Sequence, residues 1–371
     1  MQPVKRKRVT RVGSGAWSIY LPKKWIDSWT PEQQTGREVD LHLISGRLVI
    51  VPALRDAAYE ATVAPTEAVV RQVLLSAYVQ GHETVRLRPK GGPFDNDAIT
   101  GARDLLRQLD ERLAASVGPD AIGFELRNAA PAPLATGRDL LSLMGSKALE
   151  VLELAADCVD HADANPERSL HAARLLQSIQ REDLSRLYHQ TLRRVATLDV
   201  PLDSITDVQL LDLAAYLLNS IGNHCIHVAG TVLSDLGLEM ADLAFPRAEL
   251  VKRLPKRSAA PPVARDILQG HRASFREARA LLERLLKALP AGDAATLAKV
   301  ADEARQARFG HQERLFEAVV RHWGDAASKA DARRGFSAYQ VANPVTNILS
   351  AIVGLAQQGQ TFLAAKRTAP A

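Results

Sequence analysis

The residues best able to do chemistry near the start of this chain are basic. Seven lysines and arginines precede the first acidic residue, Asp27: Lys5, Arg6, Lys7, Arg8, Arg11, Lys23 and Lys24. Beyond them acids and bases alternate, and the formal net charge of the whole chain is +5. A local basic block of this kind is the electrostatic footprint of a protein that binds nucleic acid or another acidic surface. For Lys5 to Arg8 taken alone, a solvated tail is an equally good explanation.

Other titratable residues give weaker indications of a site. Glu153 and Asp157 have the i, i+4 spacing that places two carboxylates on one helix face, but a solvated face explains them as well. His224, Cys225 and His227 lack the partner cluster that a zinc ion requires, so packing is their expected role. The sequence contains no GxSxG, HExxH or P-loop motif. We therefore expect neither an enzyme nor a bound cofactor.

Composition indicates a helical protein of more than one domain. A chain of 371 residues exceeds what one hydrophobic core usually organises. Hydrophobic residues make up 46% of it and aromatic residues only 5%, and the dominance of Leu and Ala favours helices. The two cysteines are far apart, which is typical of a protein from the reducing cytoplasm. No segment has the length and apolar character of a signal peptide or a membrane span.

The first 52 residues contain two predicted β-hairpins. The runs VTRVG and SIYLP flank Gly13-Ser14-Gly15, and EVDLHLISGRLVIVP alternates apolar and polar residues around a Ser45-Gly46 turn. Pro22 is suited to the first turn of a short helix between them. So short a unit buries too little surface to be stable alone, and we expect it to interlock with a second copy.

This pattern resembles the AbrB/SpoVT family of swapped-hairpin DNA-binding domains. The similarity covers residues 5 to 52, RVTRVGSGAWSIYLPKKW followed by GREVDLHLISGRLVIVP. It implies a homodimer whose basic side chains face the DNA groove or its phosphates. We take the predicted DNA-binding residues to be Arg8, Arg11, Lys23 and Lys24, together with Lys5 and Arg6 of the same basic block.

The sequence departs from the family pattern at two places. The usual Gly-Asp before the third strand is Gly36-Arg37, and bulky Ala16-Trp17 follows the Gly/Ser turn. These changes affect the preference for a DNA sequence more than the fold. A hairpin that dimerises or anchors the protein without contacting DNA is the alternative.

Residues 53 to 137 predict a small αβαβ module followed by a linker. Apolar residues in PTEAVVRQVLLSAYVQG follow a helical period, ETVRLRP is typical of a strand, DNDAITGARDLLRQLDERLAASVG of a helix and AIGFELRN of a strand. Gly91 and Gly92 lack the spacing and the lysine of a P-loop, so a plain loop is expected there. RNAAPAPLATGR is the predicted linker.

The remaining chain predicts two sets of three helices. The first set covers roughly 138–164, 167–199 and 205–235, and the second 262–289, 292–323 and 337–365, within domains at 138–245 and 258–366. LSRLYHQTLRR in the first set aligns with QERLFEAVVRH in the second, which indicates an internal repeat. Four prolines mark the joint between the sets: Pro246, Pro255, Pro261 and Pro262.

The two helical sets resemble tandem PhoU domains. RLY or RLF lies in each middle helix, and LLNSIGNHCIHVA takes the place of the family's third-helix motif, Glu-Arg-Ile-Gly-Asp-His-Ala-x-Asn-Ile-Ala. The middle segment RQVLLSAYVQGHETVRLRP also resembles the linker module of PhoU-type phosphate-uptake regulators, an architecture common in archaea. The implied fold is mainly α with a small β N-terminus: a swapped-hairpin AbrB-like domain, the αβαβ module and two PhoU-like three-helix bundles.

The metal-binding acids of that motif are missing here. Asn219 and Asn223 stand where the family has Glu and Asp, and Ser185 and Glu313 occupy the position of the middle-helix Asp in the two repeats. The second third-helix stretch, VTNILSAIVGLA, has no acid at all. We therefore predict that no multinuclear metal cluster is bound.

Two functions of different class follow from the resemblance. The first is a cytoplasmic, DNA-binding regulator of phosphate homeostasis, in which the bundles sense phosphate status through a ligand or a partner. The second is an adaptor that dimerises through its hairpins and contacts a phosphate transporter ATPase or a sensor kinase.

Overall fold

The N-terminal segment forms two separate antiparallel hairpins. A computed structural model describes residues 10–12, 16–18, 23–27, 39–44, 47–52, 58–127, 137–162, 164–197, 205–254, 262–324 and 329–368. Strands β1 (Thr10–Val12) and β2 (Ala16–Ser18) pair with each other, as do β3 (Val39–Ile44) and β4 (Arg47–Pro52). Helix α1 (Lys23–Ile26) lies between the hairpins. The predicted hairpins and short helix are thus present, and the interlocked second copy stays a prediction.

The middle segment is a four-stranded mixed sheet covered by two helices. Its elements in chain order are β5 (Ala58–Val63), α2 (Glu67–Val79), β6 (Thr84–Pro89), α3 (Asn96–Leu109), β7 (Leu113–Val117) and β8 (Ile122–Leu126). The strand order is β5-β6-β8-β7, with β5 parallel to β6 and the other pairs antiparallel. Gly123 allows β8 to pair closely with β6, because a Cβ there would overlap the carbonyl oxygen of Val85.

The predicted αβαβ order was therefore wrong in two places. Strand β5 precedes the first helix, and the second helix ends at Leu109 instead of continuing through DERLAASVG. Asp110 terminates α3, because its backbone is extended (φ −161°, ψ 134°). Its buried carboxylate accepts hydrogen bonds from the side chains of Tyr78 and Arg112. The chain then turns and LAASV pairs with β8.

The rest of the described chain is helical. Most helix ends lie within three residues of the predicted bounds, but the last helix begins at Lys329, eight residues before its predicted start at 337. The helices are α4 (Gly137–His161), α5 (Pro166–Ser178), α6 (Ser185–Thr197), α7 (Ile205–Asp235), α8 (Arg247–Arg253), α9 (Pro262–Ala291), α10 (Ala294–Gly324) and α11 (Lys329–Thr368). A π-helical segment, Ile179–Leu184, joins α5 to α6, and a 3-10 turn, Met240–Ala244, precedes α8. None of the helices in the described part of the chain is both long enough and apolar enough to cross a membrane.

The two helical sets share one hydrophobic core. Buried side chains of α4, α5 and α7 form a continuous cluster with those of α9, α10 and α11. Helix α4 packs on α9 and α7 packs on α11. At the edge of this contact, Asp160 of α4 forms ion pairs with Arg272 (Nε–Oδ1 2.6 Å) and Arg276 (3.5 Å) of α9. The sheet and its two helices have a second, separate core.

A buried arginine joins the sheet module to the helical part. Arg193 of α6 is only 9% exposed. Its guanidinium donates to the carbonyl oxygens of Tyr78 (2.7 Å), Gly81 (2.8 Å) and His82 (3.0 Å) at the C-terminal end of α2. It also lies 5.0 Å from the ring centre of Tyr78, a cation–π contact. The planar group with several donors suits a helix end whose carbonyl groups need partners.

The Tyr78 hydroxyl extends this joint into the sheet module. It donates to Asp110 Oδ2 at 3.2 Å, and Arg112 Nη2 lies 2.6 Å from the same oxygen. Burial raises the pKa of Tyr78 above its ordinary range. Burial alone would also raise the pKa of Asp110, but the hydrogen bonds from Arg112 outweigh it and the net shift is downward. A neutral phenol and an ionised carboxylate therefore lie beside the guanidinium of Arg193.

Replacing Arg193 should loosen this joint. We expect Arg193→Met to lower the free energy of unfolding by about 2–4 kcal/mol, because the carbonyl oxygens of Tyr78, Gly81 and His82 lose the donors that Arg193 supplies. The free energy of unfolding of Arg193→Lys should lie between those of the wild type and Arg193→Met, since one ammonium group cannot reach all three oxygens. Urea titration followed by circular dichroism measures both.

Arg103→Met, on the exposed face of α3, is the matched control and should change stability by less than about 0.5 kcal/mol. Equal destabilisation by Arg103→Met and Arg193→Met would show that the joint contributes nothing specific.

Candidate functional site

The predicted DNA-binding residues are only partly within the described chain. Lys5, Arg6 and Arg8 lie outside it. Arg11 is on β1, opposite Trp17 of β2. Lys23 and Lys24 begin α1, and Lys23 is exposed. Basic residues thus occur on the first hairpin and on the helix that follows it.

The best-defined polar site lies between α7 and the π-helical segment. Gln180 is 2% exposed, and its Nε2 atom faces three oxygens: Asn223 Oδ1 at 2.9 Å, Asn219 Oδ1 at 3.1 Å and Ser185 Oγ at 3.3 Å. Ser185 Oγ also lies 3.4 Å from Asn219 Oδ1. We call these four side chains the amide cluster. Three of its members, Ser185, Asn219 and Asn223, are the positions at which the resemblance to the PhoU motif would place acids.

Local structure explains how Gln180 reaches this position. It is the second residue of the π-helical segment, and such insertions rotate side chains out of helical register and occur often at functional sites. Asn219 and Asn223 are one turn apart on α7 and so point to the same side. Gly222 leaves the necessary space, because a Cβ at that position would overlap the Oε1 atom of Gln180.

Charged groups surround the cluster but are paired among themselves. Asp183 forms ion pairs with Lys147 (2.9 Å) and Arg186 (3.5 Å). The hydrogen bonds that Lys147 donates to Asp183 and Glu150 raise its pKa. His189, further along α6, is half-buried, and desolvation lowers its pKa to about 4. The cluster itself is therefore neutral at physiological pH.

The acids and the cysteine that were weighed as metal ligands from the sequence have other roles: the acids form ion pairs, and the cysteine is packed in the core. Glu153 forms an ion pair with Arg279 (3.5 Å), and Asp157 with Arg168 (3.2 Å). Cys225 is fully buried, and burial raises the pKa of its thiol. Across the residues that the structure describes, no group of three or more His, Cys, Asp or Glu side chains could hold a metal ion.

The ring centres of His224 and His227 lie 6.4 Å apart on the outer side of α7. Burial, with a smaller contribution from His227, lowers the pKa of His224. Nothing in the described chain supplies a third ligand to this pair.

The second helical set carries a different polar group and a groove. Ser274 Oγ lies 2.9 Å from His311 Nδ1, both residues are buried, and Arg314 Nη2 lies 3.4 Å from the same hydroxyl. A groove of about 410 Å³ between α9 and α10 is next to it, lined by Glu277, Ala280, Leu281, Arg284, Glu303, Gln306, Ala307, Gly310 and Arg314. Arg284 and Glu303 form an ion pair across this groove. The charges in it are balanced.

Comparison with known proteins assigns no family. The sequence matches no protein-family model, and neither a curated protein nor a solved structure matches it significantly. The function has to be argued from the residues of this chain.

Sequence reasoning found part of the amide cluster and missed its centre. Ser185, Asn219 and Asn223 stood out because they replace acids in a motif. Gln180 did not, since it lies outside the motif and 39 residues before Asn219. The helical pattern predicted one unbroken helix over 167–199 and contained no signal for a π-helical insertion.

Filling the space beside Gln180 should disturb the cluster. Gly222→Ala introduces a Cβ that overlaps Gln180 Oε1, and we expect it to cost about 1–3 kcal/mol of unfolding free energy. Gly230→Ala is the matched control on the same helix: its Cβ would lie 3.4 Å from Met240 Cγ, and it should gain up to about 1 kcal/mol from helix propensity.

The effect should also depend on Gln180. In a Gln180→Ala background, Gly222→Ala should cost less, because the overlapping atom is gone. Suppose that both glycine substitutions shift the unfolding midpoint in the same direction and by the same amount. The close approach of Gln180 to Gly222 would then contribute nothing specific to stability.

Metal analysis tests the prediction made from the missing acids. Amide side chains cannot supply the negative charge that holds a multi-iron cluster. The purified full-length protein should carry far less than one equivalent of iron, zinc or magnesium per helical set, as measured by elemental analysis. Several tightly bound iron or zinc ions per chain would overturn this and return attention to Glu153, Asp157 and His224.

Proposed function

We propose that this protein is a dimeric DNA-binding regulator of phosphate homeostasis. The single observation that carries the proposal is the N-terminal segment, where two antiparallel hairpins and a short helix follow one another within the most basic part of the chain. β1 includes Arg11, and α1 begins with Lys23 and Lys24.

The electrostatics of this segment favour a nucleic acid as the partner. The basic residues before Asp27 have no acidic neighbours in sequence, and DNA phosphates would release counterions on contact with them. Within the described residues each hairpin is a two-stranded sheet, so a second copy could pair with its outer strand edges, and a two-fold dimer would place two basic segments side by side. Resemblance to the AbrB/SpoVT pattern supports the same arrangement.

The helical part supports a sensing role. Its resemblance to tandem PhoU domains connects it with phosphate uptake, and its amide cluster is a polar site on an otherwise apolar contact between helices. Arg193 ties α6 to the sheet module that follows the hairpins in sequence. A change in the helical part would therefore reach the N-terminal half of the chain through a defined contact.

An adaptor without DNA contact is the second candidate, favoured by two exposed aromatic residues. Phe309 is 59% exposed and Phe316 is 70% exposed, and the spacing of seven residues places them on one face of α10. Large exposed apolar side chains on one face are typical of protein-binding surfaces. A phosphate transporter ATPase or a sensor kinase would be the partner in that case.

Salt dependence of DNA binding separates the two candidates. Arg8→Ala and Arg11→Ala should each weaken binding and reduce the slope of log K against log salt by about 0.9 for each phosphate that the variant no longer neutralises. Electrophoretic mobility shifts on upstream DNA of transport genes, at two or more salt concentrations, measure this. Arg103→Ala on α3 is the control and should leave the slope unchanged. No shift with the wild-type protein, or equal slopes for all variants, would favour the adaptor.

A further inference from the structure

The amide cluster turns its hydrogen-bond donors outward. The Oδ1 atoms of Asn219 and Asn223 both accept from Gln180 Nε2, so their Nδ2 atoms point away from Gln180. Asn223 is exposed and Asn219 is half-buried, and their Nδ2 atoms have no other hydrogen-bond partner within the described chain. Two amide groups therefore present N–H donors to the surface of α7.

The opposite orientation of all three amides is less favourable. Reversing them would let Gln180 Oε1 accept from both asparagines, but it would leave the buried Nε2 group without an acceptor over Gly222. In the observed orientation the buried atom without a partner is Oε1. Orphaned N–H groups are rarer in protein interiors than under-satisfied carbonyl groups. The orientation with donors outward is thus the stable one.

We propose that Asn219 and Asn223 bind a tetrahedral oxyanion of the phosphate class. Two amide groups one helical turn apart have Cβ atoms about 6 Å from each other, a gap that two oxygens of one oxyanion can bridge. N–H donors suit an acceptor-only ligand and cannot coordinate a cation.

Gln180 is the positioning residue of this site. It does not contact the ligand, and it sets which atom of each asparagine faces solvent. The binding of an oxyanion follows from the geometry of the cluster alone, whereas the choice of phosphate as the effector rests on the proposed function.

Titration of the full-length protein with inorganic phosphate, by isothermal calorimetry or ³¹P NMR, tests the site. Asn219→Asp and Asn223→Asp replace donors with a negative charge and should weaken phosphate binding at least tenfold. Gln180→Glu should do the same without touching the ligand, because a carboxylate accepts from both Nδ2 groups and turns the Oδ1 atoms outward. Gln209→Glu, exposed on the same helix, adds an equal charge away from the cluster and should bind like the wild type.

Two further measurements identify the ligand and check that the variants fold. Titration with a nucleoside monophosphate distinguishes an organic phosphate from the free ion, and binding of either supports the site. Asn223 is exposed, so Asn223→Asp should keep the helical circular dichroism of the wild type. Failure of wild-type protein to bind either ligand at millimolar concentration, or equal binding by Asn223→Asp and Gln209→Glu, would overturn the proposal.

The mobility shifts keep this inference separate from the proposed function. DNA binding without any phosphate binding would reject the oxyanion site alone. Phosphate binding by the wild type and not by Asn223→Asp, without any DNA binding, would support the site and reject the DNA-binding role.

Discussion

The contact between Arg193 and the end of α2 is the buried polar interaction that links the described sheet module to the helices, beside the packing of α2 and α3 on α6. Helix α2 is followed by Gly81, whose positive φ of 98° lets the chain leave the helix toward β6. Three carbonyl oxygens at this turn accept from the guanidinium of Arg193, and that of Tyr78 also accepts from the backbone N–H of Gly81. Since a carbonyl group that loses its donor in a protein interior is costly, the contact stabilises the end of α2 and α6 together.

Helix periodicity made most of the helical part predictable. Apolar residues three and four positions apart marked most long helices within three residues of their ends. The start of α11 was predicted eight residues too late, and the short helix α8 was not predicted. The sheet was harder, because β7 has the sequence LAASV, which suits a helix as well as a strand. What ends α3 is the carboxylate of Asp110, held by Tyr78 and Arg112. A partner 32 residues away leaves no local pattern in the sequence.

The amide cluster, like the end of α3, depends on contacts between residues that are distant in the sequence. The sequence alone indicated that Asn219 and Asn223 could not replace a pair of carboxylates, and it indicated nothing about what the asparagines contact. Their geometry depends on Gln180, and Gln180 depends on a one-residue insertion and on the missing side chain of Gly222. Each of these features is visible only once the helices are packed. The chemistry of the site, N–H donors in place of carboxylates, is therefore a property of the fold more than of the motif.

One member of the cluster, Ser185, lies on the same helix as Arg193. Ser185 begins α6 next to Gln180, and Arg193 is eight residues further along, about 12 Å at 1.5 Å per residue. A single regular helix transmits a shift or a rotation along its axis without an intermediate loop. Any ligand that changes the packing of Gln180 against Ser185 would therefore act on Arg193, and through it on the end of α2. Linkage makes this effect reciprocal. If the ligand changes the affinity of the sheet module for a partner by some factor, that partner changes the affinity for the ligand by the same factor. Under the proposed function, α6 is the element through which occupancy of the helical part and the conformation of the sheet module depend on each other.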